Sequence, residues 1–265
     1  MNSKELQANL GQCLKELRLP TVSACYGQQA QTARQESYSY ERYLLELMEA
    51  ECEARRQTRI NRRLKESRLP LEKTLDSFEQ SRLPRQIKVQ LNTLIEGSYL
   101  ARCENVLAFG NPGSGKTHLL CAIGQELIFK GYRVLYCPCS LLVQNLLVAK
   151  RDLSLPQLLK RLAKYEALII DDIGYVQQSR EEMEVLFIML AERYEKGSVM
   201  ITSNLPFSKW EKIFKDPMTT AAAIDRLVHH SIILELNLPS YRLEQSKTQK
   251  AKQSKEERKV VEGVS

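Results

Sequence analysis

Gly110-Asn111-Pro112-Gly113-Ser114-Gly115-Lys116-Thr117 follows the apolar run Asn105-Val106-Leu107-Ala108-Phe109 and precedes the apolar residues Leu119, Leu120 and Ile123. A glycine-rich turn between an apolar strand and an apolar helix is the arrangement of a phosphate-binding loop. Glycines let the backbone curl so that successive N–H groups point inward at phosphate. The helix that follows adds the positive end of its dipole. Lys116 is expected to reach the β- and γ-phosphates of ATP, and the Thr117 hydroxyl to ligate Mg²⁺. No Asn-Lys-x-Asp guanine-reading segment occurs, which favours ATP over GTP.

Outward from the loop, short apolar runs recur at Arg133–Cys137, Ala167–Asp171, Val199–Thr202 and Ile232–Leu234. Near-continuous apolar runs suit strands buried on both faces of a parallel sheet. Amphipathic stretches between them, such as Glu181 to Tyr194, read as covering helices. The expected fold is therefore α/β, with helices on both faces of a five-stranded parallel sheet. Ligands bind such sheets at the carboxyl ends of the strands. Leu168-Ile169-Ile170-Asp171-Asp172 places two acids there. Asp171 is expected to hold Mg²⁺, directly or through water, and Asp172 to orient or deprotonate an attacking water. Thr202-Ser203-Asn204 ends another strand, where the Asn204 amide can bond the γ-phosphate or that water. Arg226, in Asp225-Arg226-Leu227-Val228, reads equally as a surface charge, a partner of Asp225, or an arginine finger serving a neighbouring subunit.

Upstream the rhythm is helical. Leu6, Leu10, Cys13, Leu14 and Leu17 share one helical face, and Leu19-Pro20 ends the run. A second helix is expected from Ser39 through Tyr43, Leu44, Leu47 and Met48 into Arg55, Arg56, Arg59, Arg62, Arg63 and Lys65. Those cations have no acidic residue among them, which suits a DNA-binding face, a solvated face or an acidic-partner site. The expected organisation is a helical domain over 1–66 for DNA or partner binding and self-association, and a linker over 67–98. An ATPase domain over 99–245 and a basic, disordered tail over 246–265 follow.

With Lys+Arg 39 against Asp+Glu 32, the net charge of +7 favours polyanionic partners. The start, Met1-Asn2-Ser3-Lys4-Glu5, has no apolar run behind its charges, and no stretch is apolar enough to span a bilayer. A cytoplasmic protein without membrane contact is expected. Seven scattered cysteines read as reduced thiols. Cys137-Pro138-Cys139 lacks a second ligand pair, which argues against structural zinc.

Taken with Tyr40-Glu41-Arg42-Tyr43-Leu44, Asp171-Asp172-Ile173-Gly174-Tyr175, Ile201-Thr202-Ser203-Asn204-Leu205-Pro206-Phe207, Trp210, Asp225-Arg226-Leu227-Val228-His229-His230 and Ser240-Tyr241-Arg242-Leu243, the chain resembles the IstB-like transposition helper ATPases. These belong to the AAA+ superfamily and are related to DnaC-type helicase loaders. The resemblance runs from about Leu14 to Leu243. It implies an AAA+ P-loop fold behind a small all-helical N-terminal domain. It also implies ATP hydrolysis, with Lys116, Asp172 and Asn204 catalytic, Asn204 as the sensor, and Arg226 as a finger acting in trans. His118 and Arg242 join the nucleotide-binding residues. The partners implied are double-stranded DNA, the transposase of the same element, and further copies of the chain with ATP at their interfaces. Two departures stand out: Asp172 where many members carry Glu, and Leu238-Pro239 where Gly-Glu usually precedes Ser-Tyr-Arg. A helicase loader of the DnaC type, acting as an adaptor, is the alternative. A small-molecule P-loop kinase is disfavoured, because no lid or acceptor pocket is evident.

Overall fold

The computed structural model describes residues 2–174, 179–206, 209–210 and 224–241; Arg242 and the tail from Ser246 lie outside them. The chain divides into two compact units, Met1–Arg62 and Arg63–Ser265.

The first unit is built of helices α1 (Ser3–Glu16), α2 (Pro20–Gln35) and α3 (Tyr40–Ser67), the last residues of α3 belonging to the second unit. Glu5 reaches back to the Asn2 amide at 3.0 Å and so closes the start of α1. After α1 the chain turns through Arg18 in the left-handed region (φ 55°), and Pro20 opens α2, where its missing N–H costs nothing. Leu14, Val22 and Leu47 form the core, with Tyr26, Tyr43 and Met48 packed around it. The first turn of α2 has no local cap. Glu51 of α3 supplies one instead, its carboxylate accepting from the amides of Thr21 at 2.8 Å and Val22 at 3.2 Å. Arg55 donates to the other carboxylate oxygen at 2.9 Å.

Among the described residues the second unit holds five strands: β1 (Asn105–Gly110), β2 (Val134–Pro138), β3 (Ala167–Ile173), β4 (Ser198–Ser203) and β5 (Ser231–Leu236). All neighbours are parallel, in the order β2-β3-β4-β1-β5, as the apolar runs predicted. Helices α4 (Arg85–Glu96), α5 (Ser98–Ala101), α6 (Lys116–Phe129), α7 (Cys139–Arg151), α8 (Leu155–Leu162) and α9 (Arg180–Arg193) accompany them. Strand alternation divides the core. Leu168 and Ile170 join the cluster made with α7, α8 and α9, whereas Ile169 meets Gly124 of α6, where a Cβ would lie 2.8 Å from its Cδ1. Within 67–98, α4 buries Ile87, Leu91 and Leu94. The guanidinium of Arg193, nearly buried, donates to the carbonyls of Leu162, Tyr165 and Ser198, each at 3.0 Å, and thereby fixes the start of β4. Among the described residues no helix is long and apolar enough to cross a membrane.

Glu51 generates a prediction. Burial works against its charge, but Arg55 and the two amides of α2 outweigh it and hold the carboxyl below its ordinary pKa. A depressed pKa stabilises the fold above the ordinary carboxylate range, and that stability is lost as pH falls through the folded value. Glu51→Gln should therefore lower the melting temperature at neutral pH, and its difference from the parent should vanish in acid. A difference that persists unchanged at low pH would assign the effect to packing.

Candidate functional site

The phosphate loop leaves β1 at Gly110 and enters α6 at Lys116. Gly113 (φ 78°) and Gly115 (φ 94°) take left-handed conformations that other residues adopt at a cost. The loop is also closely overlain. A Cβ on Gly113 would lie 2.2 Å from Ser240 Oγ, and one on Gly115 2.9 Å from the Phe78 ring. Lys116 is buried, and its ammonium donates to the carbonyls of Gly110 and Asn111 at 2.9 Å and to Asn204 Oδ1 at 2.6 Å. Ser114 Oγ is buried in the loop without a hydrogen-bond partner among the described residues. A buried hydroxyl beside loop amides and a lysine fits a phosphate oxygen as its partner.

Behind the loop stands Asp171, buried at the end of β3. Its Oδ1 accepts from the hydroxyls of Thr117 at 2.7 Å and Thr202 at 2.6 Å, and its Oδ2 from Tyr136 at 2.8 Å. A buried carboxylate needs such donors. Burial and then the neighbouring Asp171 charge push the Tyr136 hydroxyl well above its ordinary pKa, so it remains a donor. The adjoining oxygens of Thr117 and Asp171 are hard donors that suit Mg²⁺. At the next residue the β3–β4 ladder is interrupted, and Asp172 turns into the left-handed region (φ 60°). Its amide donates to Thr202 Oγ1 at 2.8 Å, so one threonine hydroxyl sets both acids. Asp172 is exposed and borders the cavity over the loop.

Asn204 is placed by its own strand end. Ser203 Oγ lies 3.0 Å from the carbonyl oxygens of both Ile173 and Leu205, to either of which its one proton can be donated, and the buried Trp210 indole donates to the Leu205 carbonyl at 3.0 Å. Asn204 Oδ1 accepts from Lys116, so Nδ2 is the end of this side chain that can donate to an anion or a water.

The cavity, about 270 Å³, brings Pro112 to His118 together with Asp172 and Asn204. It also takes walls that sequence reading missed. Residues 70–78 lie along α6, held by Gln125 Nε2 on the carbonyls of Pro70 (3.3 Å) and Lys73 (3.0 Å), and by His118 Nε2 against the Thr74 carbonyl (2.9 Å) and Ser77 Oγ (3.1 Å). Phe78 stands edge-on to the His118 ring. On the other side the Tyr241 amide donates to the Gly113 carbonyl at 3.0 Å, and Arg82 donates to the Pro239 carbonyl at 3.1 Å. The sequence signal for this strap is His118 and Gln125, two polar residues one helical heptad apart on the largely apolar α6.

Arg226 is not among the residues lining this cavity. Residues 224–228 are helical, and the Arg226 guanidinium lies over the Phe187 ring, 5.1 Å from its centroid. Asn105, the first residue of β1, holds that helix: its Nδ2 donates to the Leu227 carbonyl at 3.2 Å and its amide to the His230 carbonyl at 2.7 Å. Of the basic residues on α3, Arg56 pairs with Glu53, Arg55 with Glu51 and the Arg18 carbonyl, and Arg63 with the Gly131 carbonyl. Arg59, Arg62 and Lys65 are exposed.

Residues 12–249 match the family of IstB-like ATP binding proteins. The chain is 45% identical over 237 residues to an insertion sequence ATP-binding protein of Sinorhizobium fredii, covering 89% of this chain and 80% of that one. An insertion sequence ATP-binding protein of Geobacillus stearothermophilus is 36% identical over 237 residues, covering 89% and 94% respectively. Among solved structures, the DnaC helicase loader superposes with a TM-score of 0.54 at 16% identity, over 62% of this chain and 96% of the loader. The replication initiator DnaA bound to AMPPCP and single-stranded DNA gives 0.54 at 19%, over 65% of this chain and 52% of that one, so the chain spans about half the initiator's length. At such identities the likeness establishes the fold alone, which this chain shares with the DnaC helicase loader and the initiator DnaA.

Thr202 provides a test of the site's construction. Thr202→Val removes a donor from buried Asp171 and the acceptor of the Asp172 amide, which should cost about 2 kcal/mol or more in urea unfolding. An unchanged unfolding midpoint would show that this hydroxyl does not hold the two acids.

Proposed function

The chain belongs to the IstB-like ATP-binding protein family, and on that premise we propose that it is an ATP-dependent regulator of transposition. In this reading it assembles on double-stranded DNA and recruits the transposase of its own element. The observation that carries the assembly is the position of Arg226. Asn105 fastens the Arg226 helix at one end of β1, and Gly110 opens the phosphate loop at the other. Five residue steps of strand span roughly 17 Å, beyond an arginine side chain's reach. An arginine so placed serves a neighbour's nucleotide rather than its own.

Each group then has a task. Loop amides and Lys116 cradle the phosphates, while Thr117 and Asp171 would hold Mg²⁺, which would supply charge neutralisation during phosphoryl transfer. Asp172, exposed at the cavity, orients the attacking water or takes its proton. The Asn204 amide donates to that water or to the γ-phosphate. Arg226 of the adjoining subunit stabilises the charge that develops during transfer. ATP thus joins subunits, and hydrolysis releases them. Arg55, Arg56, Arg59, Arg62, Arg63 and Lys65 on α3 are the first candidates for DNA, through phosphate contacts that tolerate any sequence. The relatives' insertion-sequence names support transposition over the helicase-loader reading, since the fold is common to both.

Mixing two inactive proteins tests the shared site. Lys116→Ala should lose nucleotide binding; Arg226→Ala should bind nucleotide but hydrolyse on the order of a thousandfold more slowly. Together they should recover part of the hydrolysis, because some interfaces unite an intact loop with an intact finger. A mixture as inactive as its components would refute a site completed in trans. Replacing Arg59 and Arg62 by Gln should weaken duplex binding and reduce its salt slope by roughly two. An unaltered slope would move the DNA contact elsewhere.

A further inference from the structure

We propose that Tyr136 is a positioning residue for the metal-binding carboxylate, fixing the oxygen of Asp171 that no phosphate-loop residue holds. The inference rests on the reading of Asp171 as a metal-binding residue. Tyr136 lies on β2, the strand beside β3, where its register partner is Ile169. From there its hydroxyl reaches Asp171 Oδ2 at 2.8 Å. Thr117 and Thr202 both donate to the other oxygen, Oδ1. A carboxylate held at one oxygen can still swing about its Cβ–Cγ bond. A donor at the second oxygen arrests that swing, and among the described residues Tyr136 alone donates there.

The carboxylate is thereby oriented from three elements, the first turn of α6, β4 and β2. No nucleotide motif directs attention to β2, which contributes nothing to the cavity lining. Removing this one hydroxyl leaves the ring's packing in place and frees Oδ2. Partners that orient a ligating carboxylate are commonly worth 10- to 100-fold in metal affinity. The effect expected is thus on the metal requirement, with nucleotide binding in the absence of metal left intact.

The test is a titration of Mg²⁺ against the binding of a fluorescent ADP, using the full-length parent, Tyr136→Phe and Asp171→Asn. Binding in EDTA should agree within about twofold between parent and Tyr136→Phe, which also shows that the variant is folded. The Mg²⁺ concentration for half-maximal enhancement should rise about tenfold in Tyr136→Phe. In Asp171→Asn the enhancement should disappear. An unchanged Mg²⁺ midpoint in Tyr136→Phe, with the enhancement lost in Asp171→Asn, overturns the Tyr136 assignment and leaves the metal reading standing. A parent without enhancement, or an Asp171→Asn protein that keeps it, overturns the metal reading and the Tyr136 assignment with it. Equal weakening of Tyr136→Phe with and without Mg²⁺ marks a packing role and likewise rejects the proposal.

Discussion

The burial of Asp171 is the constraint from which the nucleotide site follows. A carboxylate at the end of a central parallel strand has lost its water and must find donors in the protein. It finds them on three neighbours: Thr117 of the loop helix, Thr202 of β4 and Tyr136 of β2. Satisfying one acid therefore draws three segments of the fold to a common point. The same Thr202 hydroxyl takes the Asp172 amide, and two residues on, just past the end of β4, Asn204 meets Lys116. Two hydrogen-bonded groups, one around Lys116 and one around Asp171, thus meet at the consecutive residues Lys116 and Thr117.

The second organising fact is the direction of β1. Its carboxyl end supplies the loop, and its amino end, through Asn105, secures the helix that carries Arg226. One strand thus presents the two halves of the proposed shared site at opposite ends. Successive copies related by a rotation would bring one copy's finger to the next copy's loop, a heterologous contact that builds rings or helical filaments. Such an assembly suits a protein proposed to assemble on duplex DNA.

Much of this was legible in the sequence, for identifiable reasons. Parallel strands announce themselves here as continuous apolar runs, and all five were found that way, although the edge strand β5 leaves Ile233 exposed. The loop is legible because its glycines, lysine and threonine are contiguous. Tyr136 was not legible, since a tyrosine in a strand carries no mark of which oxygen its hydroxyl will meet. The strap over 70–78 escaped for a related reason. It has no period of its own and takes its course from Gln125 and His118 on α6. The charge run on α3 was visible, but its pairing was not: Arg55 and Arg56 lie within one helical turn of the carboxylates that occupy them, and Arg63 meets the Gly131 carbonyl far along the chain.

The central claim is that ATP joins copies of this chain on DNA. Its most direct test is the molar mass in solution by light scattering, measured with duplex DNA in the presence of ATP, of ADP, and of neither. The account predicts a multi-subunit complex with ATP that dissociates in ADP and does not form without nucleotide. A mass that is the same in all three conditions would contradict it.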